Sequence, residues 1–318
     1  MKFRTQIEIA PFEAKIDYSD NILAVGSCFA ATVGGKLARS RFKATVNPTG
    51  VLFNPASIAQ TLQRFEHKRF VTLSEIQEGA TPFHYDFHSS LCAPTPSECV
   101  AMINQAVELG HEALMQSDWI IVTLGTAWVY ELARSGEVVA NCHKQPAVNF
   151  IRRRLSVSEI VDMLNQSLSH LLTTKKVILT LSPVRHVGDG LSENSLSKAT
   201  LRVAIEEFVS QHPSSVYYFP AYEIFVDDLR DYRFYAEDMV HPSSVGVDYV
   251  WDKFRDVALS LDSLRVMEQV ESVIRAAEHR PVNPLSDGHR RFCEAQLRAI
   301  EGLSGSVDLS EMRQYFTL

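Results

Sequence analysis

The sequence predicts an α/β fold in which a parallel sheet is covered by helices on both faces. Three observations carry this. Runs such as Ile22-Leu23-Ala24-Val25-Gly26 and Trp119-Ile120-Ile121-Val122-Thr123-Leu124 are apolar almost without interruption, as strands are when both faces are buried. Segments with apolar residues at helical spacing alternate with these runs, the order of a sheet with crossover helices. A chain of 318 residues exceeds what a minimal domain of this class needs, so one main domain with an insertion and a tail is expected.

The elements follow in chain order. Residues 22–26 form the first strand, and residues 28–39 a helix with Phe29, Val33 and Leu37 on one face. Asn54-Pro55 opens the next helix, a cap followed by proline at the first position, with Ile58, Leu62 and Phe65 as its apolar face. Residues 67–98, with Pro82, Pro94 and Pro96, read as an irregular insertion or lid. A helix near 99–116 leads to the strand Trp119–Leu124, which ends at Gly125. Ser156-x-x-Glu159 is a capping box for a helix carrying Ile160, Leu164, Leu168 and Leu171. Val177–Leu181 is a third strand, 197–210 a helix, and Val216–Phe219 a fourth strand. After His241-Pro242, Val247, Val250, Phe254, Val257 and Leu261 recur at helical spacing. The domain division is 1–262 for the α/β domain and 263–318 for a helical C-terminal extension. For that extension an oligomerisation arm, a lid and a packed tail all remain open.

Composition narrows the class. Apolar residues make up 46% and mean hydropathy is -0.05, values of a soluble globular chain. Net charge is -7 with both signs interspersed, which speaks against a nucleic-acid partner. The opening Met1-Lys2-Phe3-Arg4-Thr5 has no apolar core of a signal peptide, and no run reaches membrane-spanning length. Cys28, Cys92, Cys99, Cys142 and Cys293 are odd in number and irregular in spacing, so free thiols in a cytoplasmic protein are expected.

In such sheets functional residues gather at the carboxyl ends of strands. Ser27, Gly125, Ser182 and the segment 238–241 all follow predicted strands. Ser27 has two readings. It caps a helix, or it is a nucleophile at a strand-to-helix turn with backbone amides nearby for an oxyanion. On position alone the cap is the stronger reading. Asp238-Met239-Val240-His241 supplies a base and an orienting carboxylate three residues apart. Taken with Ser27, it shifts the balance toward a hydrolase. Cys28, in the first turn of the helix, reads as a small buried residue before it reads as a reactive thiol. Arg185-His186 and His143-Lys144 stand beside strand ends or loops and are substrate-facing candidates. Arg152-Arg153-Arg154 reads as a solvated charge run. His84 and His88 flank Asp86 at a spacing that permits a metal, but no matching ligand cluster is evident and none is expected. There is no G-x-G-x-x-G and no G-x-x-x-x-G-K-[ST], so no nucleotide cofactor is expected.

Gly26-Ser27-Cys28-Phe29-Ala30 resembles the signature of the GSCFA family, which is placed with the SGNH (GDSL-like) hydrolases. Asn47-Pro48-Thr49-Gly50, Phe53-Asn54-Pro55, Leu124-Gly125-Thr126-Ala127-Trp128 and Asn141-Cys142-His143-Lys144 are similar to its further motifs, as are Ser182-Pro183-Val184-Arg185-His186 and Asp231-Tyr232-Arg233-Phe234-Tyr235 through His241-Pro242-Ser243. The resemblance covers residues 20–260. It implies a flavodoxin-like three-layer αβα sandwich with Ser27 as nucleophile, His241 as base and Asp238 as its orienting acid. It also implies Gly50 as an oxyanion donor. Two departures stand out. Gly26 occupies the place of the superfamily's aspartate before the serine, and Ala127 the place of its oxyanion asparagine. Loss of one such donor costs about 3 kcal/mol, so Asn141 or His143 is expected to substitute.

These readings converge on a serine-dependent ester hydrolase or O-acyltransferase. A small-molecule or glycan acyl ester is the expected substrate, with hydrolysis favoured over transfer and no cofactor. Catalysis falls to Ser27, His241 and Asp238; oxyanion and substrate contacts fall to Gly50, Asn141, His143, Arg185 and His186. The C-terminal helices offer a homo-oligomer contact. The alternative is a non-catalytic ligand-binding protein that retains the pocket.

Overall fold

The computed structural model describes residues 4–317; Met1-Lys2-Phe3, on which the signal-peptide expectation partly rests, and Leu318 lie outside them. Five parallel strands form the central sheet: β1 (Asn21–Gly26), β2 (Lys43–Val46), β3 (Trp119–Leu124), β7 (Lys176–Leu181) and β8 (Val216–Phe219), in the order β2-β1-β3-β7-β8. Leu23 pairs with Ile120, Ile120 with Val177, and Val177 with Val216, so the strands run in register across the sheet. Successive side chains go to opposite faces. Ile22, Ala24, Trp119, Ile121, Ile178 and Phe219 enter one core; Leu23, Val25, Ile120, Val122, Val177 and Leu179 enter the other.

Helices cover both faces, which makes the three-layer α/β sandwich. On one side lie α1 (Cys28–Arg39), the single turn α6 (Ala221–Glu223) and α7 (Ser244–Ala258), on the other α2 (Pro55–Glu66), α4 (Val157–Leu168) and α5 (Leu191–Gln211). The caps are those the sequence announces. Asn54 Oδ1 accepts from the Ser57 amide, and Ser156 and Glu159 close a capping box. The C-terminal helices α8 (Leu261–Glu278) and α9 (Asp287–Leu303) place Met267, Val270, Cys293 and Ile300 in the same core as Phe29 and Leu37. Arg39–Glu278 and Arg41–Glu311 ion pairs lie along that contact.

Four features differ from the sequence reading. Strand β2 is additional to the four strands expected: Lys43–Val46 is a short edge strand with no buried residue, so it makes no apolar run. The long helix before β3, α3 (Pro96–Gln116), begins earlier than expected because Thr95 and Glu98 form a capping box with Pro96 at the first position. Helix α5 begins at Leu191 rather than 197. Its buried face contains Asn194, Ser197, Lys198 and Thr200, so an apolar period cannot reveal it. A second sheet was not foreseen: β4 (Trp128–Leu132), β5 (Val138–Val139) and β6 (Phe150–Arg154), antiparallel in the order β5-β4-β6. The arginine run is strand β6, and each member has a partner. Arg152 pairs with Asp189 at 2.6 Å, Arg153 with Glu131 at 2.6 Å and Glu159 at 2.7 Å, and Arg154 donates to Thr200 Oγ1 at 2.5 Å. The insertion between α2 and α3 builds its own small core from Val71, Phe87 and Ala93 against Cys99, Ile103 and Val107.

The order β2-β1-β3 places a topological switch point between β1 and β3, where a crevice opens beyond the strand ends. At that point Gly26 adopts φ +131°, and a Cβ on it would sit 2.2 Å from the Thr123 carbonyl oxygen. Only glycine fits this approach. Gly35, by contrast, is exposed on α1 with open space around it. Gly26→Ala is expected to destabilise the fold by at least about 3 kcal/mol, and Gly35→Ala to stabilise it by roughly 0.5–1 kcal/mol. Denaturant unfolding of the two variants checks the pair, and a Gly26→Ala variant as stable as wild type refutes the assignment.

Candidate active site

The crevice is lined by the first turn of α1, the β3–β4 connection, the segment after β7 and the loop before α7. It has a volume of about 480 Å³ and is bounded by Cys28, Phe53, Trp128, Asn141, Arg185 and His241, among others. Ser27 immediately precedes the lining residue Cys28. It leaves β1 with its amide donating to Thr123 O at 3.0 Å and caps α1 by accepting from the Phe29 amide at 3.4 Å. Ser27 is 2% exposed; the neighbouring Cys28, rather than Ser27 itself, lines the crevice, and among the described residues no hydrogen bond joins Ser27 Oγ to His241.

The Asp238–His241 segment owes its shape to its own backbone. The Ala236 amide donates to His241 O at 2.8 Å, the Ser243 amide to Phe234 O at 2.7 Å, and Met239 takes φ +57° at the tip. This closed turn aims the Asp238 carboxylate at three donors. Oδ1 accepts from the Val240 and His241 amides, each at 2.9 Å, and Oδ2 stands 2.6 Å from His241 Nδ1. These bonds hold the Asp238 carboxyl down at about 2, the His241 amide first among the causes and the imidazole next. The carboxylate therefore remains ionised through the neutral range. With Nδ1 committed to Asp238, Nε2 is the nitrogen left for chemistry; no hydrogen bond engages it among the described residues.

His186 stands on the same crevice, edge-on to Phe53, with its amide donating to Asn194 Oδ1 at 3.0 Å. Burial pushes its pKa down to about 4, helped by the charges of Lys198 and His241. It is a neutral hydrogen-bonding group at pH 7. Beneath it, Lys198 is fully buried and donates to Gly125 O and Ser182 O, both at 2.7 Å. It ties together the ends of β3 and β7. Desolvation lowers its pKa from 10.5 to about 7.

Several expected donors stand elsewhere. His143 is not on the crevice: its ring stacks on Phe83, and Nε2 lies 3.1 Å from both His84 O and Phe87 O, inside the insertion. The amides proposed for an oxyanion are engaged, Ser27 with Thr123 O and Gly50 with Asn47 O at 2.8 Å. Gly50 instead serves packing, with φ +83° and no room for a Cβ against His88. Ala127 lies in the core with its amide donating to Ser197 Oγ at 2.7 Å, so it supplies nothing to the crevice. Asn141 does line the crevice, its Oδ1 accepting from the His143 amide at 2.8 Å, which leaves its Nδ2 as a donor. Asn54 was missed. Its Oδ1 caps α2 at 2.8 Å while the residue lines the crevice, so its Nδ2 is a second side-chain donor. The sequence signal was present in Phe53-Asn54-Pro55, but a cap reading fully accounted for it. The Cys28 amide, first in α1, has no acceptor within its helix. The Cys28 thiol is pushed upward by burial, which outweighs the helix end and keeps it protonated.

His84 and His88 do not converge either. His84 lines a separate cavity near Asp86, which Arg64 binds at 2.7 Å, whereas His88 lines the crevice. Among the described residues no three His, Cys, Asp or Glu side chains cluster in a way that would hold a metal. No described helix is long and apolar enough to cross a membrane.

Residues 21–254 match the GSCFA family, and residues 270–318 match the C-terminal domain of GSCFA domain proteins. The chain belongs to the GSCFA family. The tail, which lay outside the sequence resemblance, is thus a recognised part of GSCFA proteins and packs on the core that supports α1. No curated protein matches the chain.

The buried lysine has a measurable consequence. Between pH 7 and 10.5 the unfolded lysine holds a proton that the folded one has released, so this group makes stability rise with pH across that window. The difference in melting temperature between wild type and Lys198→Met, followed from pH 7 to pH 10, isolates the term from other titrating groups. A pH-independent difference would show that Lys198 stays charged in the fold.

Proposed function

We propose that this GSCFA protein is a serine-dependent esterase or O-acyltransferase of the SGNH (GDSL-like) type, acting through an acyl-serine intermediate. The observation that carries the reading is the 2.6 Å contact between Asp238 Oδ2 and His241 Nδ1, on a crevice lined by His241 and by Cys28, the residue that follows Ser27. An aspartate on Nδ1 fixes the tautomer with Nε2 free to accept a proton. Ser27 Oγ attacks the acyl carbonyl while His241 Nε2 takes its proton. The carbonyl π electrons move to oxygen, and the Cys28 amide with the Asn54 and Asn141 side chains are the donors available to that oxyanion. Collapse expels the alcohol, which receives the proton from His241. Water then attacks the acyl-serine by the same route and releases the acid; in a transferase a second alcohol takes its place. The three donors compensate for Ala127.

A second reading, a non-catalytic binding protein, is favoured by the burial of Ser27 and its cap contact with the Phe29 amide. The two separate cleanly. Under the enzyme reading Ser27→Ala lowers turnover of short acyl esters by several orders of magnitude, while stability changes by only about 1 kcal/mol, the value of a helix cap. A fluorophosphonate should label Ser27 in wild type, as located by peptide mass spectrometry. Wild-type turnover in Ser27→Ala, or label on Cys28 alone, would remove Ser27 as the nucleophile.

His241→Gln and Asp238→Asn should differ in degree. Loss of the base is expected to cost more than loss of its orienting group, with roughly 10⁴-fold expected for the aspartate by analogy with triads. Steady-state kinetics on one ester decides this. An Asp238→Asn variant with unchanged kcat/KM would show that the 2.6 Å contact has no catalytic role.

A further inference from the structure

We propose that the crevice selects substrates bearing an anionic group, a carboxylate or phosphate, and that Arg185 is the residue that reads it; this rests on the esterase reading only for the word substrate. Arg185 lines the crevice, and its guanidinium is positioned at one side of it. It is held by aromatic faces rather than by a counter-charge: 4.5 Å from the Tyr235 ring centroid and 5.2 Å from that of Tyr232, with Nη1 donating to the Tyr232 hydroxyl at 3.2 Å. Among the described residues no carboxylate lies within 4.0 Å of it. Three carboxylates on adjoining segments are taken by other cations. Asp189 binds Arg152, Glu223 binds Arg202, and Asp231 binds Arg233.

The consequence is an unbalanced charge at a fixed place. An arginine stays protonated at any working pH and offers five N–H donors, of which the Tyr232 hydroxyl accepts one. The flat fork, pre-ordered against an adjoining pair of tyrosine rings, matches the two oxygens of a carboxylate or phosphate. Asp189, the carboxylate on the same wall, does not oppose such an anion, because Arg152 holds it at 2.6 Å while stacking on Trp128 at 3.7 Å. His186, beside Arg185 in sequence, adds no positive charge at neutral pH but offers a further hydrogen bond. The crevice thus presents apolar walls at Phe53 and Val184 and one free cationic fork.

The test measures binding rather than turnover, so that it stands apart from the fate of the esterase reading. Calorimetric titration of the Ser27→Ala protein uses two pairs of probes: phenyl hemisuccinate against phenyl butyrate, and 1-acetylglycerol 3-phosphate against monoacetin. At least one anionic member should bind about tenfold or more tighter than its neutral partner, equivalent to about 1.4 kcal/mol. Adding Arg185→Gln should abolish that preference, Arg185→Lys should retain part of it, and about 0.5 M salt should weaken it. Which pair shows the preference tells carboxylate from phosphate. The inference is overturned if neither anionic probe binds tighter than its neutral partner, or if the preference survives Arg185→Gln in a protein whose circular dichroism and melting temperature match the parent. An anion preference lost with Arg185, in a wild-type protein that turns over no ester, would leave the inference standing and remove the esterase.

Discussion

The approach of Gly26 to the Thr123 carbonyl is the constraint on which the site depends. Because no side chain separates them, β1 ends tight against β3, and the next amide, that of Ser27, donates to the same carbonyl oxygen. Gly26 is held from the other side as well. Its amide donates to Asn47 Oδ1 at 2.9 Å and its carbonyl accepts from Leu52 at 2.9 Å. The β1–α1 turn, the turn after β2 and the end of β3 are thereby one unit. Ser27 begins its helix from a backbone that has no freedom to rotate. The Asn47 side chain thus supplies a polar contact to the backbone at that point.

A second fixture works across the other half of the sheet. Lys198 stands on the inner face of α5 and spans the ends of β3 and β7 through two carbonyls. A buried ammonium without a carboxylate is costly, whereas a neutral amine has two N–H groups, the number of carbonyls it meets. The lowering of its pKa to about 7 follows from that balance. The same clamp sets the segment that carries Arg185 and His186, since Ser182 opens it.

Four strands of the sheet and most helix starts were legible because they are written in apolar period and cap chemistry; the short edge strand β2 and the order of the strands were not. Ser156-x-x-Glu159 and Asn54-Pro55 act where they stand, each through a bond to the third residue of its helix. What escaped is equally physical. The start of α5 hides behind Asn194, Ser197 and Lys198, polar residues buried against strand ends, and β6 hides behind three arginines whose partners lie on β4, α4, α5 and the loop at Asp189. In the site, the Asp238–His241 contact could be read from spacing because the two lie in one tight turn. His143 and Asn54 could not be ranked, since which of them reaches the crevice depends on how the insertion folds over α2 and α3.

Two histidines on one crevice carry different chemistry for reasons visible in their surroundings. His186 is buried, meets the charge of Lys198 and has no carboxylate partner, so protonation there is resisted down to about 4. His241 is half exposed and faces the Asp238 carboxylate, which remains ionised. Within the proposed mechanism a proton leaving Ser27 therefore has one favourable destination. The exposure of the Asp238–His241 pair adds a further point. Solvent screens the attraction between them, so the attraction alone cannot hold the geometry. The turn does that instead, through the two amides on Asp238 Oδ1 and the positive φ of Met239. Orientation of the imidazole is thus a backbone property, and the charge on Asp238 is left to act on the imidazole rather than on the fold.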